Sequence, residues 1–449
     1  MKLVYNVKDK PKFGQLIVFA FQQLLAILAA TIAVPSIVGN GMSQSAALFG
    51  AGVGTIVYLL FTKFKSPVFL GSSFAFLGSM FAAFGGALST AAGYAGIIIG
   101  AIFAGLVYVV IAIIVKFAGV NWINKLMPPV VIGPTVAIIG LSLAGNAVGD
   151  ALTFAKDTCA ECSSVLSFTM NTKGWVGFIC ALVTLFTVMI CSVYGKKMAK
   201  LIPFVIGILA GYAVGTVFTL IGNATGNEAL QIIDWSAFQS MKWIPDFTFL
   251  TAAKGFKEVD ASYIAMIAVA YVPVAFVVFA EHIADHKNLS SIIEQDLLEE
   301  PGLHRTLLGD GVGSMVGAIF GGCPNTTYGE SVGCVAITGN ASVITIFATA
   351  LMAIAASFIA PFVTFLSTIP ACVMGGVCIT LYGFIAVSGL KMIQKVDLDD
   401  NRNLFVVSVI LIAGIGGMAL TIGKVTLTEV ACALILGIVT NIILSKKKA

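Results

Sequence analysis

The stretch Cys323–Ser331 reads CPNTTYGES, and the chain on either side of it is greasy. Pro324 and Gly329 interrupt helices, Asn325, Thr326 and Thr327 are polar, and Glu330 is a bare carboxylate. The surroundings decide how to read it. Of 449 residues, 59% are hydrophobic and only 10% are charged, and the mean hydropathy is +1.02. Soluble domains carry about 25% charged residues. Apolar runs here reach about 20 residues, the length that crosses a bilayer. The composition therefore describes an all-α polytopic membrane protein and argues against a soluble protein with one large core. Inside lipid, irregular backbone survives only where protein buries it or a cavity solvates it. A polar break at that depth is a candidate site.

A second break answers the first. PVFLGSSFAF (67–76) also reads as an extended stretch that becomes a helix. GSSF (71–74) and NTTY (325–328) each hold a small turn-former, two hydroxyl residues and an aromatic. Elsewhere, Pro128 and Gly133 of PPVVIGPTV match Pro370 and Gly375 of PACVMGGVC at equal spacing. The apolar runs fall at 14–34, 44–62, 67–86, 92–116, 128–148, 174–195, 202–222, 262–284, 307–322, 325–338, 342–366, 370–389, 403–422 and 426–444. Each matched pair lies seven runs apart, and an odd offset inverts orientation. The expectation is about fourteen transmembrane segments in two inverted seven-segment repeats, with short extended strands in segments 3 and 10. The first repeat would cover 14–222 and the second 262–445, joined by an external connection at 223–261. Residues 1–13 and 446–449 would be cytoplasmic tails.

Basic residues give the orientation. Lys2, Lys8, Lys10 and Lys12 precede the first run; Lys63, Lys65, Lys116, Lys125, Lys196, Lys197, Lys200, Lys287, Arg305, Lys391, Lys395 and Arg402 follow even-numbered ones; Lys446, Lys447 and Lys448 end the chain. All fall on one side, which places both termini in the cytoplasm. No cleaved signal peptide is expected, because the charged start MKLVYNVKDKPKFG lacks a short apolar core with a cleavage site. The net charge of +4 sits in loops and termini, so no nucleic-acid partner is implied. Most of the nine cysteines lie in apolar runs; Cys159 and Cys162 of CAEC sit in a polar loop and read as an incidental or exofacial pair.

Two carboxylates sharpen the site. Glu330 follows the second break, and Glu281 ends the run AVAYVPVAFVVFAEHIADH, with Asp285 one turn on and on the same face. An acid in a span costs at least about 2.5 kcal/mol, so it is usually functional. Two acids crowded in apolar surroundings resist ionising together, so one is expected to hold a proton. Glu281, Asp285 and Glu330 are the candidates for proton coupling. His282 and His286 stand at i, i+4 and could ligate a metal, but the one remaining histidine, His304, lies in a loop beside Arg305. No metal and no cofactor are expected beyond a co-transported proton. An anion is disfavoured, because the acids repel it and neither break contains Lys or Arg. A flat, neutral, amide-like heterocycle fits better: its N–H groups donate to carboxylates, its carbonyls accept from backbone N–H near Phe74, and its faces stack on Phe74 and Tyr328.

LGSSFAF, FAEH, EEPGLHR and PNTTYGE, in this order along the chain, resemble the nucleobase–ascorbate transporter family, and within it the uracil-transporting branch. The likeness extends over nearly the whole chain, including FQQLLAILAATIAVP. It implies core and gate domains, with gate segments at about 128–222 and 370–445, and proton-coupled uptake of uracil or a related nucleobase through the cytoplasmic membrane. It also leaves room for a homodimer through the gate. By motif, Glu281 and Glu330 would bind the base ring, Phe74 and Gly329 would give backbone contacts, and Ser73 and Tyr328 would line the site. There are departures. Ser331 stands where the family usually has Asn, position 339 is Gly where an arginine is expected, and Asp285 stands where uracil transporters often have His. Asp285 is more like the purine branch, so a xanthine or urate symporter stays open beside the uracil reading. A membrane metalloenzyme using His282 and His286 is the reading from another class.

Overall fold

A computed structural model describes residues 3–119, 122, 128–157, 168–196, 198–422 and 425–445. Cys159 and Cys162 lie outside the described residues, as do Lys2, Lys125, Lys197 and Lys446 to Lys448 of the charge reading. Among the described residues the fold is all-α apart from three two-stranded ribbons.

The count of spans corrects the expectation. Among the described residues, eight helices are long and apolar enough to cross a bilayer: Phe13–Val38, Gln44–Phe61, Thr90–Ala118, Pro129–Ala151, Thr172–Tyr194, Pro203–Thr225, Ala261–Ile293 and Ala371–Ile393. A ninth is counted if the broken pair Val343–Ser357 and Ala360–Ser367 is one span. Fourteen segments in a seven-plus-seven repeat are not what the chain forms. The reason is length. Phe74–Gly85, Asn401–Ile415 and Glu429–Ser445 are apolar but have only 10–17 residues. At about 1.5 Å per residue they stop short of a hydrocarbon core about 30 Å thick. Leu303–Gly321 is long enough but carries His304, Arg305, Asp310 and several glycines, and Gly329–Thr338 has ten residues. The extended segments are corrected too. They are not strands within spans 3 and 10 of a repeat, but two three-residue pieces closed on each other in one minimal open sheet.

The chain divides into two compact units. One comprises Met1–Ser142, Pro245–Phe358 and Ile385–Ala449. Its interior is set by small residues. The Gln44–Phe61 helix meets the Leu303–Gly321 helix, here the glycine helix, through Gly50 and Gly54 on one side and Gly313, Gly317 and Gly321 on the other. A Cβ on Gly50 would lie 2.6 Å from the Gly317 carbonyl oxygen, and one on Gly313 would lie 2.8 Å from that of Gly54. The four-residue spacing places these glycines on one face of each helix, so the backbones touch. Gly322, at φ +71°, then turns the chain out of the glycine helix toward CPNTTYGES.

The other unit comprises Leu143–Ile244 and Ile359–Phe384. Its helices Thr172–Tyr194 and Pro203–Thr225 pack through Gly207 and Gly211 against Val188 and Thr184. The Tyr212 hydroxyl accepts from Trp235 Nε1 at 3.0 Å and lies 2.9 Å from Thr368 Oγ1.

Candidate functional site

The two polar breaks meet. Leu70–Ser72 and Asn325–Thr327 pair antiparallel, with Leu70 opposite Thr327, Gly71 opposite Thr326 and Ser72 opposite Asn325. The ladder continues at both ends: Ser73 N–H donates to the Pro324 carbonyl at 2.9 Å, and Tyr328 N–H to that of Phe69 at 3.2 Å. Such backbone is stable at depth because neighbouring side chains satisfy it. Leu70 N–H donates to Thr55 Oγ1 at 2.9 Å, and that hydroxyl lies 3.2 Å from the Leu70 carbonyl. Asn325 Nδ2 donates to the Gly50 carbonyl at 3.0 Å, lodged beside Gly54 and Gly317, where no side chain would fit. Tyr328 donates its hydroxyl to the Ser72 carbonyl at 2.9 Å, and its ring fills the space a side chain on Gly71 would need. Each strand then runs into a short helix: Ser73 leads into the turn Phe74–Phe76 and the helix Leu77–Gly85, and Tyr328 leads into Gly329–Thr338.

Ser331, the departure from the family pattern, is buried and engaged. Its hydroxyl accepts from Gln23 Nε2 at 2.7 Å and from Phe69 N–H at 3.2 Å. It ties the first helix, the residue just before the first strand and the helix after the second strand at one atom.

The Ala261–Ile293 helix, here the carboxylate helix, supplies the acids. Asp260 starts it by accepting Tyr263 N–H at 2.7 Å. Glu281 and Asp285 lie on one face and keep partial solvent access, whereas His282 and His286 on the other face are fully buried. Thr327 Oγ1 donates to Asp285 Oδ2 at 2.9 Å, joining the second strand to this helix. Gly329 is exposed, and a Cβ there would lie 3.8 Å from Asp285 Oδ1. Glu330 is also partly accessible, and Glu281 is within electrostatic reach of Asp285, Glu330 and Asp310. The fold thus brings Glu281, Asp285, Gly329 and Glu330 around one end of the strand pair. Ser73 and Phe74 sit at the exit of the first strand; the Ser73 hydroxyl is buried and makes no hydrogen bond among the described residues. Tyr328 is 3% exposed, with its ring held over Gly71. Chemically, this is a set of carboxylate acceptors beside two helix starts. No lysine or arginine occurs in 66–85 or 323–340.

The histidines are committed elsewhere. His286 Nδ1 donates to the His282 carbonyl at 2.8 Å, and its Nε2 lies 2.7 Å from the Tyr58 hydroxyl. His282 lies between Asp310 and Thr306. Among the described residues, no group of three or more His, Cys, Asp and Glu side chains is placed to hold a metal ion. Asp310 escaped the sequence reading, although an aspartate in the apolar run 307–322 carries the same signal that picked out Glu281. Thr327 was seen only as polar, and Gln23 had no local signal at all.

A model of the Permease family matches residues 14–423. The chain is 41% identical to the uracil permease of Bacillus caldolyticus over 99% of its own length and 95% of that protein. It is 37% identical to the uracil permease of Bacillus subtilis (strain 168), over 100% and 96% of the two lengths. Among solved structures, the transmembrane domain of a cyanobacterium bicarbonate transporter is similar in fold, with a TM-score of 0.64 at 15% identity over 97% of this chain and all of that one.

Proposed function

Because this chain belongs to the permease family and matches uracil permeases along its full length, we propose that it is a uracil–proton symporter. It is a multi-pass membrane protein and a secondary transporter, and its work is transport rather than catalysis. In this reading it resides in the cytoplasmic membrane with both termini inside, and it works by alternating access.

The observation that carries the reading is the accessible acid cluster at the end of the strand pair. Glu281 and Glu330 accept the ring N–H groups of the base, and carboxylate acceptors favour a neutral N–H donor over an anion. Backbone N–H at Phe74 and Gly329 serves the carbonyls, and the unengaged Ser73 hydroxyl gives one more polar contact. Tyr328 shapes the wall. Protonation of the Glu281, Asp285 and Glu330 group lowers its charge, which links base binding to the proton gradient.

Purified protein in proteoliposomes should accumulate radiolabelled uracil when an inward proton gradient is imposed, and should equilibrate without accumulation when it is collapsed. Equal uptake under both conditions defeats the coupling. Asp285 favours a second reading, a purine symporter of the same family. Xanthine outcompeting uracil in the same assay selects it.

A further inference from the structure

Behind the accessible acids lies a second polar group that substrate binding does not use. His282 Nδ1 is 2.7 Å from Asp310 Oδ2, His282 Nε2 is 2.9 Å from Thr306 Oγ1, and all three residues are 0% exposed. The protons can be counted. Thr306 Oγ1 lies 3.1 Å from the Leu303 carbonyl, an acceptor only, so its one hydrogen is directed there. The Thr306 oxygen is then an acceptor for His282, and His282 Nε2 carries a hydrogen. A hydrogen must also lie between Nδ1 and Asp310 Oδ2 for atoms 2.7 Å apart to attract. Placed on Nδ1, it makes imidazolium and carboxylate; placed on Oδ2, it makes neutral imidazole and carboxylic acid. Both forms are neutral in sum. Asp310 Oδ1 has no hydrogen-bond partner among the described residues, and a permanently ionised carboxylate with a bare buried oxygen is costly. Holding the hydrogen keeps the pair neutral and that oxygen uncharged, and removing it leaves one net negative charge sealed in the interior.

The neighbours of that charge are mostly acids or neutral. Glu281 and Asp285 are on the same helix, His286 stacks on His282 at 4.0 Å between ring centroids, and the Tyr108 ring approaches from Thr90–Ala118 at 6.2 Å. Tyr58, from Gln44–Phe61, holds His286, and Glu330 opens the helix facing Glu281. His286 donates through Nδ1 to a carbonyl and so accepts from Tyr58 at Nε2, which leaves it neutral in this arrangement.

We propose that the His282–Asp310 pair stores the coupled proton and thereby positions the charge state of Glu281, its sequence neighbour. The inference rests on the proton-coupled reading above. In its step the anionic pair takes one proton from hydronium, which is left as water, and becomes neutral, with the new bond at Asp310 Oδ2 or His282 Nδ1; release is the reverse. No other bond changes.

The test compares gradient-driven accumulation of uracil with uracil counterflow, which exchanges substrate without net proton movement. Asp310→Asn cannot take up the proton. It should lose accumulation while keeping counterflow, and Asp310→Glu should regain accumulation. Wild-type protein is assayed first. No wild-type accumulation overturns the proton-coupled reading and this assignment with it; a coupled wild type with Asp310→Asn equally coupled overturns the assignment alone. Thr306→Val covers the case in which Asp310→Asn does not fold. Losing the acceptor for Nε2–H weakens proton retention, so the alkaline limb of the uptake profile should move to lower pH by about one unit. Superimposable profiles overturn the proposal.

Discussion

The carboxylate helix has two polar faces built from adjacent residues, and they differ in access. Glu281 and Asp285 look toward the end of the strand pair, and water reaches them. One residue further along, His282 and His286 are sealed and engaged by Asp310, Thr306 and Tyr58. A polar group in a membrane protein must be either served by its neighbours or held ready for something mobile. Here one helix does both, separating the two duties by about a hundred degrees of rotation per residue. The front meets the solute, while the back keeps its heavy-atom partners and changes only its proton.

Substitutions on the front should harm binding and spare the fold. Glu330→Gln keeps the volume and removes the charge that receives a ring N–H. Uracil affinity, by calorimetry on detergent-purified protein, should fall about 100-fold or more, with thermal stability unchanged. An unaltered affinity would show that the front is not where the base sits. Substitutions behind the back should reverse the pattern. Gly317→Val drives a side chain into the Asn325 amide, which the strand pair depends on, so the melting midpoint should drop, at a cost of about 1–3 kcal/mol. Tolerance of valine there would mean that the seating of Asn325 is not what supports the strands.

A third, exposed pair serves as the control that belongs to neither face. Lys65 Nζ lies 2.5 Å from Glu300 Oε1 and holds that carboxyl below the ordinary glutamate range. A lowered value means that the ionised form is the stabilised one. Whatever stability the pair adds is present above the ordinary glutamate value and is lost as pH falls through the folded one. Lys65→Met should therefore differ slightly from wild type in melting midpoint near neutral pH and low salt, and the two should converge in acid or high salt. A gap that persists unchanged in acid would assign the effect to something other than this pair.

How much of this could be read in the chain follows from what each signal measures. Hydropathy reports that a run is apolar; it does not report that the helix within it is long enough to cross. The helices Asn401–Ile415 and Glu429–Ser445 satisfied the first test and fail the second, which is why the span count was too high. Local motifs fared differently, because GSSF and NTTY each break a helix for reasons contained in their own residues. Pro324, Gly329 and Glu330 were legible for the same reason. The Gln23–Ser331 bond joins residues 308 positions apart, and nothing near either residue announces the other. Asp310 carries a signal of its own in the sequence, an aspartate in an apolar run; Thr327 has meaning only where the fold sets Asp285 against it.

The fit of the Tyr328 ring over Gly71 carries an evolutionary corollary. One half of the chain supplies the empty place and the other half supplies the ring, so neither position is free to drift alone. A relative that acquires a side chain at the place of Gly71 must give up the large ring at the place of Tyr328. Across descendants of this gene, the two sites should change together or stay still together, though 257 positions separate them.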